Sequence, residues 1–221
     1  MASTEKQELR PERATKNKHA ERTALTRSRL LKAAEKIFAR DGFEAAKLED
    51  IAAEAGYTRG ALYANFANKE DLFIALLAEE VENRIARARL GAEITKKSAN
   101  VLQTMRENYI KALKNPTWNI LFLEYKLFVL RHPEFQSKVS EMQDKSIATT
   151  SAVFEEIYND VGIKLPVPTM AAVTGLAALA NTLGIDLQIG KAITEPEVDT
   201  LLGLFFDALT KHRTKSADQV S

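Results

Sequence analysis

The stretch Leu48–Lys69, LEDIAAEAGYTRGALYANFANK, constrains this chain more than any other, because it dictates a sharp corner between two short helices. Ile51, Ala52 and Ala55 recur at helical spacing and give the first helix an apolar side. Gly56 follows where a helix ends on a residue at positive φ, a conformation that costs glycine little. Thr58 is placed to cap the second helix, its hydroxyl accepting from an unpaired first-turn N–H. That helix is predicted over about Arg59 to Phe66, with Leu62 and Phe66 facing inward together. Ala52 stands where the two helices must cross closely, so a small side chain is required. This is the pattern of a helix-turn-helix, whose second helix enters the major groove of DNA. On the turn alone, a plain helix–glycine–helix corner of an α-protein is an equal reading.

The flanks weigh against the plain corner. Upstream stands TRSRLLKAAEKIFARDGFEAAKLEDIA and downstream ALYANFANKEDLFIALLAEEV. The elements Leu31-x-x-Ala34-x-x-Ile37-Phe38, Gly42-Phe43, Asp50-Ile51-Ala52, Gly56-x-Thr58, Gly60-x-Leu62-Tyr63, Phe66 and Lys69-x-x-Leu72 follow in fixed order over about Thr26 to Leu77. Together they resemble the DNA-binding domain of the TetR family of bacterial transcriptional regulators. Beyond that stretch the chain matches the family only in being helical and of about the right length. The resemblance implies an all-α fold, an N-terminal three-helix helix-turn-helix domain followed by a larger helical domain for ligand binding and dimerisation.

Two positions depart from the family's pattern. Ala46-Lys47 stand where a Thr or Ser usually opens the second helix, and Ala64-Asn65 replace a His or Tyr pair. Lys47 is then left to meet a phosphate, with Tyr63 and Asn65 as polar candidates on the reading helix. The expected DNA-binding set is Lys47, Thr58, Arg59, Gly60, Ala61, Tyr63, Asn65 and Lys69. Arg59, in the first turn, is the candidate for reading a base edge; Tyr63 and Lys69 are the candidates for holding phosphates.

The 221 residues are enough for a proper core, and with no cysteine neither disulfides nor thiolate metal sites are available. No apolar run is expected to reach the roughly 20 residues of a membrane span, and the N-terminus lacks the apolar core of a signal peptide. A cytoplasmic protein is therefore expected. Met1–Phe66 carries 13 Lys and Arg against 10 Asp and Glu, and the remainder 18 against 20. That asymmetry has the sign DNA binding asks for but is small. Residues 1–20 have almost no apolar residue and read as a mobile polar tail, either simply solvated or a basic arm leading through Lys16, Lys18, Arg22 and Arg27. Residues 21–67 form the expected helix-turn-helix domain, with a first helix from about Glu21 to Arg40. Residues 68–215 form the expected ligand-binding and dimerisation domain, with a long helix over 69–90 linking the two.

Beyond Ala92 no second motif, repeat or strand-like alternation occurs. Gly and Pro divide the rest into helices of about Glu93–Lys114, Trp118–Arg131, Pro133–Val161, Thr169–Ile189 and Glu195–Thr210, nine in all with the first four. WNILFLEYKLFVL (Trp118–Leu130) is apolar nearly all round, as a helix surrounded by others would be. Its aromatics, with their neighbours, are either core or the lining of a pocket; Met105, Tyr109, Trp118, Phe122 and Tyr125 are the pocket candidates for a small, largely apolar effector. Glu124 is either ion-paired at the surface or a polar handle in that pocket. The last two helices carry small residues at close intervals and surplus apolar surface. Ala171, Gly175, Ala178, Leu201, Leu204 and Phe205 are the candidates for a dimer interface. In the family this helix pair forms a four-helix bundle with its twin, and a palindromic operator on double-stranded DNA is read by a two-fold dimer.

An enzyme reading finds little. His19, His132 and His212 are far apart, and no Gly-rich phosphate loop or Gly-x-Ser-x-Gly elbow occurs. The pairs Glu79-Glu80 and Glu155-Glu156 read as solvated faces. No cofactor and no metal are expected. The sequence therefore points to a homodimeric, ligand-responsive regulator, most readily a repressor. A constitutive DNA-binding protein and an all-helical carrier or enzyme are the alternatives.

Overall fold

In a computed structural model of the chain, the described residues are 9–113, 115–190 and 192–210, without the side chains of 9–19, 109, 112, 113 and 210. Nine α-helices and one 3-10 turn carry them: α1 (Leu9–Ala45), α2 (Leu48–Glu54), α3 (Arg59–Tyr63), α4 (Lys69–Lys96), α5 (Val101–Leu113), α6 (Pro116–Arg131), α7 (Gln136–Asp160), α8 (Thr169–Ile189) and α9 (Glu195–Thr210). Two units divide the chain, residues 1–76 and 77–221.

In the first unit, α1 starts earlier than its apolar periodicity suggests. Of the tail expected over 1–20, residues 1–8 lie outside the described residues, and from Leu9 the backbone is already helical. Pro11 sits in the first turn, where its missing N–H costs no hydrogen bond. Near its other end α1 is broken at Gly42, with φ 77° and ψ 164°. The break turns Phe43 back onto the rings of Phe38 and Phe73, at centroid distances of 5.8 and 5.0 Å. Phe38 and Phe73 meet edge to face at 5.0 Å. Leu30, Ala34, Ile51, Leu62, Phe66 and Leu72 close the same core.

The second unit is organised around α8, which packs against α5, α6, α7 and α9. Ala172, Val173 and Leu176 enter a core with Met105, Phe154, Ile157, Tyr158 and Phe206. Ala180 joins Val198 and Leu202 in a second cluster. Alone among the described helices, Thr169–Ile189 is long and apolar enough by length and composition to cross a membrane, which corrects the expectation that no such run exists. Its buried residues are a core face of this bundle, and its apolar character serves that packing.

Three boundaries differ from the sequence reading. Gly91 does not end α4, which continues to Lys96 because Ala92 and Thr95 are buried beyond it. The break falls instead before α5, where the Asn100 side chain accepts from the Gln103 N–H at 3.3 Å as an N-cap. Pro133–Phe135 form a 3-10 turn before α7. α6 is not surrounded: Leu121 and Phe128 are buried, whereas Ile120, Leu123, Leu127 and Leu130 stand exposed on its outer face.

Candidate functional site

The corner at Gly56 forms for the expected reasons. Gly56 has φ 74°, its N–H donates to Ala53 O at 3.0 Å, and the Tyr57 N–H reaches back to Ala52 O at 2.8 Å. These two bonds satisfy the carbonyls that α2 leaves open. The Thr58 hydroxyl accepts from the Ala61 N–H at 3.2 Å and so caps α3. α2 has no side-chain cap at Lys47, as the departure at Ala46-Lys47 implies, and Ala46 is buried. α3 ends at Tyr63, three residues short of the expected Phe66. Asn65 causes the early stop, its side-chain amide taking the Ala61 carbonyl at 2.8 Å while its own N–H turns to Leu62 O at 2.9 Å.

On the outer face of this corner Lys47, Thr58, Arg59, Gly60 and Tyr63 are exposed, and Ala61 and Asn65 are half-buried. Gly60 and Ala61 keep the surface low, so a groove wall can approach the backbone. The Arg59 guanidinium pairs with Glu49 of α2 at 2.9 Å, reaches the Tyr63 hydroxyl at 3.3 Å and lies 5.3 Å over its ring. The Tyr63 hydroxyl, with Glu49 behind it, holds that guanidinium's pKa above its ordinary value. Lys69 behaves differently from the phosphate contact expected of it. Its ammonium donates to Glu44 O at 2.9 Å and Ala46 O at 3.4 Å, above the Phe43 ring at 4.7 Å. Lys69 therefore bridges the end of α1 and the start of α2, while Lys47 and Tyr63 stand exposed.

Three supporting residues escaped the sequence reading. Arg27, read as part of a basic arm, turns inward to donate to Asn65 O at 3.2 Å over the Phe66 ring at 4.4 Å. Tyr57 bonds Thr26, and that bond, with Arg29 and Arg22 nearby, holds its phenol below the usual tyrosine range. Glu49 engages the reading arginine. A carboxylate preceding α3 by ten positions carries no sequence signal for that role.

The expected effector pocket is split. Met105 lies in the α5–α7–α8–α9 core, and the side chain of Tyr109 lies outside the described residues. Trp118, Phe122 and Tyr125 do come together, with Leu77, Val81 and Leu121, around a cleft between α4, α6 and α7. It is closed, with a cavity of only about 10 Å³, no more than one water's worth. Glu80 and Arg84 line it too, and Glu80 is the clearest departure from the solvated face expected at Glu79-Glu80. The Glu80 side chain is 8% exposed and accepts from Arg84 at 3.0 Å and Arg87 at 2.7 Å. A larger open cleft of about 690 Å³ lies between α5 and α9, its walls mixing Leu102, Ile110 and Phe206 with an Arg106–Asp207 pair.

The dimer candidates share outward faces. Ala171 and Ala178 are exposed on α8, one helical face apart from the buried Ala172, Leu176 and Ala180. Leu201, Leu204 and Phe205 are exposed on α9. Gly175 is where the two helices meet, since a Cβ there would touch the Phe205 ring at 3.4 Å. Among the described residues, no group of three or more His, Asp or Glu stands together as a metal site.

Residues 30–76 match the family model described as bacterial regulatory proteins, tetR family. The transcriptional activator FasR of Mycolicibacterium smegmatis is 28% identical over 154 residues, covering 70% of this chain and 68% of that protein. The transcriptional repressor AcnR of Corynebacterium efficiens is 28% identical over 118 residues, covering 53% of this chain and 58% of that protein. The regulator FadR of Bacillus subtilis, solved in complex with stearoyl-CoA, superposes with a TM-score of 0.63 at 21% identity, over 83% of this chain and 97% of its own. All three are named as transcriptional regulators, which sets aside the enzyme reading.

Proposed function

We propose that this chain, which belongs to the TetR family of DNA-binding transcriptional regulators, is a homodimeric repressor released from a palindromic operator by a small, largely apolar effector. The observation that carries the mechanism is α4. Its first turns pack Leu72, Phe73 and Leu76 into the helix-turn-helix core, and its later turns place Leu77, Val81 and Ile85 in the second unit. One continuous helix thus runs from the reading unit into one wall of the aromatic cleft. That is why the small closed cleft, not the larger one on α5 and α9, is the proposed effector site.

An effector entering between Trp118, Phe122 and Tyr125 must part α6 from α4. Displacing the later turns of α4 swings its first turn, and in a dimer the two recognition helices then lose the spacing of their half-sites. The effector acts only by its preference for the form that does not bind DNA, typically about 1–3 kcal/mol of coupling, and operator must weaken effector binding by the same factor. The stearoyl-CoA held by the Bacillus subtilis neighbour supports long-chain acyl compounds as the first class to try.

Footprinting on the DNA upstream of its own and adjacent genes tests the reading. The expected result is a protected inverted repeat that such a compound releases; an effector that binds equally well with and without operator removes the induction mechanism. Two second readings have observations behind them. The closed cleft favours constitutive DNA binding without an effector, and it stands if no compound that changes Trp118 fluorescence alters operator binding. The match to an activator, FasR, favours activation, and a fall in transcription on deleting the gene would establish it.

A further inference from the structure

We propose that Glu80 and Arg84, which line the polar end of the α4–α6–α7 cleft, with Arg87 bonded to Glu80 from outside its lining, form the site for an anionic head group on an otherwise apolar effector. This rests on the effector reading above and adds the chemistry of the head. A buried ion pair is rarely more stable than apolar side chains of the same shape, so stability alone does not account for a carboxylate this deep in α4. Nor is the group an even pair. Two guanidiniums converge on one oxygen, Glu80 Oε1, so the three groups carry one more positive than negative charge, and Glu80 and Arg84 share the cleft wall with Trp118, Leu121, Phe122 and Tyr125.

Asp144 of α7, a carboxylate that acts on Tyr125 at this end, is exposed and bonded to Ser140 at 3.5 Å. Burial, with Asp144, raises the pKa of Tyr125, so its hydroxyl stays protonated and can donate to an anion. Spacing finishes the design. Leu77, Glu80, Val81 and Arg84 recur on one face of α4, so an apolar chain lying along α6 reaches the guanidiniums at its end. An entering carboxylate or phosphate brings the cluster to two cations and two anions, and it suits the forked donors of arginine. A neutral head leaves the surplus unanswered, and an ammonium adds to it.

Trp118 lines the cleft and is the chain's single tryptophan, so its fluorescence reports entry. The full chain is titrated with dodecanoate, dodecanoyl-CoA and dodecanol below their micellar concentrations. Either anion should bind at least about tenfold more tightly than dodecanol, as charge-assisted hydrogen bonds require. Dodecanoyl-CoA alone doing so identifies phosphate as the anion, and dodecanoate doing so identifies carboxylate. The double variant Arg84→Met, Arg87→Met should bind the anions no better than dodecanol. In case that variant fails to fold, Glu80→Gln provides a separate test: it removes the competing carboxylate and should widen the anion preference. Equal binding of all three compounds by the wild-type protein overturns the head-group site and leaves the apolar effector reading standing. An unchanged preference in Glu80→Gln also overturns it. Binding of none of them by a protein that still holds its operator overturns both.

Discussion

At Gly60 nothing inside the protein asks for glycine. Its φ is not positive, and a Cβ there would meet only the Thr58 hydroxyl at 3.8 Å. Glycine within a helix is less stable than alanine by roughly 0.5–1 kcal/mol, and under the proposed DNA-reading role its missing side chain leaves room for DNA backbone or a base edge. Gly60→Ala should leave thermal unfolding unchanged or slightly raised while operator affinity falls by roughly tenfold in mobility-shift titrations. Wild-type affinity in that variant would mean that α3 meets DNA through another face. Arg59 is held by Glu49 and Tyr63, and an exposed ion pair of this kind gives way readily to a better partner. A guanine edge offers two acceptors to the same fork. Arg59→Ala is expected to relax sequence preference, and Glu49→Gln to raise affinity for random duplex more than for operator. Competition binding with both duplexes measures each effect; an unchanged preferred sequence in Arg59→Ala would remove Arg59 as the reading residue.

Among the elements, α4 has the most exacting job, because its first turn completes the core that sets α2 and α3. Phe73 is fully buried between Phe38 and Phe43. Phe73→Ala should cost about 3–5 kcal/mol in the first unit, read as a lower denaturant midpoint with loss of DNA binding. A variant as stable as wild type would mean that the three rings are not the joint between α4 and the reading corner. Lys69 adds to that joint through the Glu44 and Ala46 carbonyls, so Lys69→Ala should lower stability first and change the salt dependence of DNA binding little. A slope flatter by about one unit would return it to the phosphate contacts.

For the whole molecule, the decisive feature is the apolar surface left outward on α8 and α9. Leu204 is 59% exposed, on α9 with exposed Phe205 and Leu201, and α8 adds exposed Ala171 and Ala178. If a second copy covers that face, as proposed, the two-fold dimer should read an inverted repeat whose half-site centres lie about 34–36 Å or a multiple apart. Leu204→Glu, at an exposed position, should leave each chain folded, split the dimer in sedimentation and abolish tight operator binding. A monomer that still held the full operator tightly would overturn the symmetric reading.

Sequence alone determined what local hydrogen bonding and one-residue hydrophobicity decide. Gly56 and Thr58 specify the corner because the bonds that close it join residues at most five apart. The small residues of α8 were legible as a set, but only the packing separated Ala172 and Ala180, buried in the core, from the outward Ala171 and Ala178. The end of α3 was misjudged because one asparagine side chain competes with the helix for the Ala61 carbonyl, a choice that apolar periodicity does not record. Only the tertiary structure decided which charges are shared and how much space is left. Glu80 sits beside Glu79 in a run that reads as solvated. Its burial depends on where α6 and α7 lie against α4, elements some forty to sixty residues away along the chain. Met105 parted from Trp118 for the same reason: an apolar residue at helical spacing is committed to a core face, but which core it enters is set by the packing of helices distant in the chain.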